Sequence, residues 1–260
     1  MGKPIGVLII HGVGIQKRNY SERIKRGVVR ELRKQGCDST QVVFQEVLYT
    51  CIFDDQQKVR SNYLINTSVW YQFLTRIVRW SLIHILSDAV SYRGQYKRVH
   101  EIISDNINEL QAKLVKNGPI VVVAHSMGVM AISDYIYDQQ NDKCPEMQLE
   151  KINNLKALVT FGCNIPLFEM GHKETVCIKR PKSDDQEKEF FWCNFYSPFD
   201  VLGYRIEKYY TIKPEPTFKI EDKLIFAGGI FSKWNTACHM GYWAHPNIHA
   251  CVSNIITKIL

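Results

Sequence analysis

The hydrophobic positions of this chain fall into two alternating kinds of segment. Short apolar runs bounded by Gly, Pro or charged residues recur at PIGVLIIHGVG (4–14), QVVFQEVLYT (41–50), IVVVAHSMG (120–128), LKALVTFG (155–162), EFFWCNFYS (189–197) and DKLIFAGG (222–229). The most continuous of them suit strands buried on both faces, as in a parallel sheet. Between these runs lie stretches of helical period. Ser21 to Gln35 sets Ile24, Val28 and Leu32 on one stripe, and Val99, Ile102, Ile103, Ile107, Leu110 and Leu114 mark a second helix ending near Gly118-Pro119. Met130, Ser133, Asp134 and Tyr137 follow the 120–128 run at helical spacing, and Ile248, Val252, Ile255 and Ile259 mark a closing helix. Strands alternating with helices predict an α/β fold with a mostly parallel central sheet covered by helices on both faces.

One stretch departs from this alternation. Residues 51–94 are dense in aromatic and aliphatic side chains, broken by Arg76 and Arg79, and Trp70, Phe73, Leu74 and Ile77 form one helical stripe within them. No internal repeat or low-complexity stretch divides the 260 residues, so the reading is one domain, 1–260, with a helical insertion at 51–94.

Composition narrows the setting. With 45% hydrophobic and 23% charged residues, the chain has the balance of a soluble domain with a sizeable core. The apolar run Ile5–Ile10 is far below the ~18 residues of a membrane span and makes a poor signal peptide. Met1-Gly2 lacks the Ser or Thr that myristoylation needs, since Gly6 stands there. The eight cysteines show no C-x-x-C pair and no zinc-ligand spacing, which predicts reduced structural thiols, no metal site and a cytoplasmic protein. Of the +7 formal charge, much lies between Lys17 and Lys34, with Arg23, Arg26, Arg30 and Arg33 along one face of the 21–35 helix. That face reads first as solvated, and second as a peripheral contact with anionic membrane. No nucleic-acid-binding motif accompanies it.

The chemistry points to residues 124–128. Ala124-His125-Ser126-Met127-Gly128 interrupts an apolar run where a strand should turn into a helix. Small residues on either side of Ser126 let the backbone turn sharply and hold the hydroxyl exposed at the strand tip. The helix that starts there directs its N-terminal amides and positive dipole end toward charge developing in acyl transfer.

This constellation resembles the α/β-hydrolase family, and more narrowly its lipases and esterases, departing from G-x-S-x-G only at Ala124. The resemblance implies a Ser-His-Asp triad whose members follow in the order Ser, acid, His. Asp200, in a Pro-containing turn after FFWCNFYS, takes the acid's place; Asp184, Asp185 and Asp222 are less well placed. His239 fits the base, because H-x-x-Y-W with Tyr242-Trp243 resembles the catalytic-histidine loop of bacterial hydrolases of the fold. His245 is the runner-up, and His249 falls on the closing helix. Met127 and Val13 would supply the oxyanion-hole amides, while His11 and His125 occupy places where the family carries non-catalytic histidines. The 51–94 insertion would cap the substrate pocket, with Trp70, Phe73, Leu74 and Ile77 lining it. The implied activity is that of a serine hydrolase cleaving a carboxylic ester of a small molecule or lipid through an acyl-enzyme, without cofactor. A thioesterase, a phospholipase and a non-catalytic binding or scaffold member of the same fold are the alternatives.

Overall fold

Six of the apolar segments form one sheet in a computed structural model that describes residues 3–12, 16–49, 92–143, 145–152, 154–169, 177–181, 190–210, 218–229 and 238–260. The strands are β1 (Ile5–Ile10), β2 (Val42–Val47), β3 (Ile120–His125), β4 (Leu155–Phe161), β5 (Phe191–Tyr196) and β6 (Lys219–Leu224). They pair in the order β2-β1-β3-β4-β5-β6, every pair parallel. Every residue of β1, β3 and β4 is buried, which is why these three carry no polar alternation.

Both faces of the sheet are covered, as the sequence pattern requires. Leu8, Ile10, Val122, Ala124, Leu158 and Trp192 face one layer, made by α2 (Tyr96–Ala112) and α3 (Met127–Asn141). Ile5, Val7, Ile9, Val121, Val123, Val159 and Phe195 face the other, made by α1 (Glu22–Lys34) and α4 (Pro246–Ile259). In α1 the stripe Ile24, Val28 and Leu32 is buried and the arginine face is exposed. Arg26 pairs with Glu22 and Arg30 with Glu31, each at 3.3 Å, so part of that positive charge is answered on the helix itself. At its end Gln35 donates to Asn254 Oδ1 (2.7 Å) and accepts from Thr257 (2.6 Å), tying α1 to α4.

The sixth strand is displaced from its expected position. It begins at Lys219 and ends at Leu224, whereas the apolar run placed it at 222–229. The reason lies in its neighbour: β5 ends at Tyr196, opposite Leu224, so the chain beyond Ile225 has no ladder left to join. As the edge strand, β6 needs only one paired side, and a polar sequence with Ile220 buried suffices. The insertion expected at 51–94 lies outside the described residues from 51 to 91, as do Trp70, Phe73, Leu74 and Ile77. Among the described residues no helix is long and apolar enough to cross a membrane.

Candidate active site

The turn from β3 into α3 holds Ser126 in a backbone conformation that non-glycine residues rarely adopt, φ 54° and ψ −125°. Such a conformation costs about 1–3 kcal/mol and persists only where the surroundings impose it. Here Ser126 N–H donates to the Phe161 carbonyl (3.1 Å) at the end of β4, and its own carbonyl accepts from Val129 N–H (2.9 Å). Met127 is the first residue of α3, so its N–H belongs to the helix-end donors that have no intrahelical acceptor. Gly128 lets α3 start directly against β1. A methyl there would fall 2.4 Å from the His11 carbonyl oxygen and 3.0 Å from that of Ile10, both backbone atoms that cannot yield. Gly128→Ala is therefore expected to destabilise the fold by about 3 kcal/mol, seen as a lower urea midpoint with an unchanged slope. An unchanged midpoint would show that the helix can start further from β1.

The serine itself differs from expectation. Instead of being exposed, it is 1% accessible, because the turn after β1 packs onto it. A methyl at Gly12 would lie 2.5 Å from Ser126 Cβ and 3.1 Å from its Oγ.

Two further residues are brought together across 39 positions of sequence. Asp200 sits in the turn after β5, where its N–H donates to the Ser197 carbonyl and its Oδ1 accepts from Leu202 N–H (3.0 Å). His239 lies on the single helical turn Cys238–Gly241. Its Nδ1 is 2.8 Å from Asp200 Oδ2, so Nδ1–H donates to the carboxylate. Tyr242, one turn further, donates its hydroxyl to the same oxygen (2.9 Å) and accepts from Ser197 N–H (3.0 Å). Burial pushes the Asp200 carboxyl up, but the bond from His239, the imidazole's charge and the bonds from Leu202 and Tyr242 together hold it below its ordinary value. The other ring nitrogen, His239 Nε2, is buried without a hydrogen-bond partner among the described residues. The ring packs on Gly162, at the tip of the strand beside the serine, where an added methyl would come within 2.8 Å of Cε1. No hydrogen bond joins Ser126 Oγ to His239.

A strained serine between strand and helix, followed in chain order by a bonded Asp and His at the same end of a parallel sheet, decides the architecture. The chain has the α/β-hydrolase fold. No family model matches the sequence, and no curated protein does. Among solved structures it is similar to a dienelactone hydrolase from Anabaena variabilis, at 11% identity over 99% of this chain and 85% of that one, with a TM-score of 0.43. It is similar also to the esterase domain of a Rhodothermus marinus protein (12%, 97% and 86%, TM-score 0.42) and to the mouse alpha/beta hydrolase domain-containing protein 10 (10%, 98% and 90%, TM-score 0.41). Likenesses this distant add nothing to the fold, which rests on the parallel sheet, the turn at Ser126 and the bonded Asp200 and His239 that follow it.

Within this α/β-hydrolase fold the remaining histidines and acids have other neighbours. His125 Nε2 lies 2.8 Å from the His239 carbonyl oxygen and donates to it, and the two rings are 4.6 Å apart. Burial, then the nearby His239, hold His125 well below the ordinary histidine range. His11 is lowered to about 4 by burial; its Nδ1 donates to the Gly12 carbonyl (2.6 Å) and its ring stacks on Tyr49 at 4.5 Å. Both imidazoles are thus neutral at neutral pH. His245 caps α4 by accepting from Asn247 N–H, and His249 donates to the Trp243 carbonyl on the far side of the same helix start. Asp222 is spent on structure: it accepts from Asn194, Ile206 N–H and Glu207 N–H. Asp184, Asp185 and Val13 lie outside the described residues. Among the described residues no group of His, Cys, Asp and Glu could hold a metal ion.

Sequence reasoning did not assign Tyr242 its place on the acid. The signal was present as spacing, because H-x-x-Y on a helical turn brings the tyrosine to the side of the histidine that faces Asp200.

Proposed function

We propose that this protein is a serine hydrolase that cleaves a carboxylic ester through an acyl-enzyme. The observation that carries the reading is the 2.8 Å bond from His239 Nδ1 to an ionised, Tyr242-bound Asp200. That bond fixes the tautomer with a free lone pair on Nε2, the form a general base needs. In the proposed reaction Ser126 closes onto Nε2, gives up its proton and attacks the acyl carbonyl carbon. The oxyanion accepts from the Met127 amide and, by the rule for this motif, from Val13. His239 then protonates the departing alcohol, and a water molecule activated by the same nitrogen releases the acid. Catalytic hydrogen bonds are often open in the free enzyme and tighten when substrate binds, which accommodates the missing Ser126–His239 bond.

An acyl substrate is supported by the surroundings. Phe199, Val201 and Met240 lie within one residue of Asp200 or His239 in sequence and are about half exposed or more. Phe226, also half exposed, sets its ring 6.0 Å from that of Phe199. A carboxylic ester, a thioester and a phospholipid all present such an acyl group. We place the reaction in the cytoplasm, on a small-molecule or lipid ester.

The open Ser126–His239 contact favours a second reading, a binding member of the fold in which the serine is not activated. A small fluorophosphonate distinguishes the two. It is expected to attach to one residue, Ser126, and to abolish hydrolysis of short-chain aryl esters. Absence of both labelling and ester hydrolysis would leave the binding reading.

A further inference from the structure

Away from the site, two thiols meet between the sheet and its helical cover. Cys193, the third residue of β5, points toward the α1/α4 layer, and Cys251 on α4 lies above it with the sulfurs 3.6 Å apart and sharing a hydrogen bond. We propose that Cys193 and Cys251 are a reversible dithiol–disulfide site, oxidised by hydroperoxides.

Four observations support the assignment. The sulfur separation must shrink by only about 1.5 Å to reach the ~2.05 Å of a disulfide. Cys251 is only partly buried, and β5 is one strand from the edge of the sheet formed by the described residues, so a small oxidant can approach from the Cys251 side. Charge of both signs stands beside it: Glu221 on β6 lies opposite Cys193, and Lys223, one same-face row beyond and paired with Glu221 at 3.7 Å, favours the Cys251 thiolate that Glu221 opposes. Finally, the pair differs from Cys163, Cys177 and Cys238. Burial pushes Cys163 and Cys177 up to about 12 and Cys238 to about 11, whereas the hydrogen bond with Cys193, opposed by burial and aided by Lys223, lowers Cys251. Cys193 is raised by the same bond and by burial. The two thiols thus divide the work, one nucleophilic and one protonated.

The chemistry balances with one peroxide. The Cys251 thiolate attacks an oxygen of hydrogen peroxide, the O–O bond breaks, and sulfenic acid forms with release of hydroxide, which takes up a proton as water. The Cys193 sulfur then attacks the sulfenic sulfur, the S–O bond breaks, and the proton lost by Cys193 leaves with the hydroxide as a second water. The peroxide gains the two electrons that the sulfurs lose, and an external dithiol reverses the change. In a reducing compartment such a pair is a responsive site rather than a permanent staple.

The test uses the intact protein with a few equivalents of hydrogen peroxide, followed by alkylation and tryptic mapping. The expected product is 2 Da lighter and joins the peptide 189–205 to the peptide 234–258. Fragmentation should place the link at Cys251 and not at Cys238, which shares that peptide. Dithiothreitol should restore both thiols. The oxidised form should melt several degrees higher, because the link closes a 58-residue separation. Lys223→Gln should slow the loss of the two thiols several-fold while the product stays the same. A link through Cys238, terminal oxidation of Cys251 beside an unreacted Cys193, or no loss of thiols would each overturn the proposal. Because the mapping is done on the unaltered chain, failure of a variant to fold cannot obscure the result.

Discussion

Ser126→Ala is expected to remove ester hydrolysis almost entirely, by about 10⁶-fold in kcat, while leaving the fold in place. The size follows from the shared duty of the proposed triad: without the hydroxyl there is no acyl-enzyme, and His239 and Asp200 have nothing to activate. Alanine keeps a Cβ at φ 54°, so it inherits the backbone strain without adding to it, and the hydroxyl makes no capping bond to the helix it precedes. The measurement is a single-turnover assay on an activated ester beside a thermal melt. Turnover within tenfold of the unaltered protein, with an unchanged melt, would remove Ser126 from the reaction.

Asp200→Asn should cost about 10⁴-fold in kcat. The carboxylate accepts three bonds, from Leu202 on one oxygen and from His239 and Tyr242 on the other. An amide has one acceptor oxygen. If that oxygen keeps the Leu202 N–H, the NH₂ group faces His239 Nδ1 and forces the proton onto Nε2, where the base should be empty. The change should also alter acid stability. The folded Asp200 has a lowered pKa, so its contribution is fully present above the unfolded value near 3.8 and is lost as pH falls through the folded value. The stability difference between the two proteins should therefore be largest at neutral pH and shrink toward pH 2. A difference independent of pH over that range, or near-normal activity, would place the acid elsewhere.

How much of this was legible depends on what kind of interaction each residue makes. β1 and β3 were plain because burial on both faces leaves a nearly continuous apolar run, β4 because only Lys156 and Thr160 interrupt its apolar residues, and α1 because Ile24, Val28 and Leu32 share one stripe. The turn at Ser126 was visible in the small residues that flank it, and Asp200 and His239 in their order and their position after strands. Lost from view was whatever depended on distant neighbours. The start of β6 is set by where β5 ends and not by its own apolar content. The burial of Ser126 is set by the turn after β1, 114 positions earlier at Gly12. Tyr242 could be seen as part of a pattern, but the hydrogen bond it donates to Asp200 and the one it accepts from Ser197 need the loop after β5 in place.

The tie between α1 and α4 bears on how the molecule assembles. Gln35 meets Asn254 and Thr257 across 219 and 222 positions of chain, among the most non-local contacts in the described structure. Such contacts give little return until the intervening chain is ordered, so the docking of α4 on α1 is expected late in folding, after the strands have paired. His239 stands seven positions before the first residue of that helix. The proposed base would therefore reach Asp200 only when the last layer closes, and a partly folded chain, however complete its sheet, would hold Ser126 without the His239–Asp200 pair.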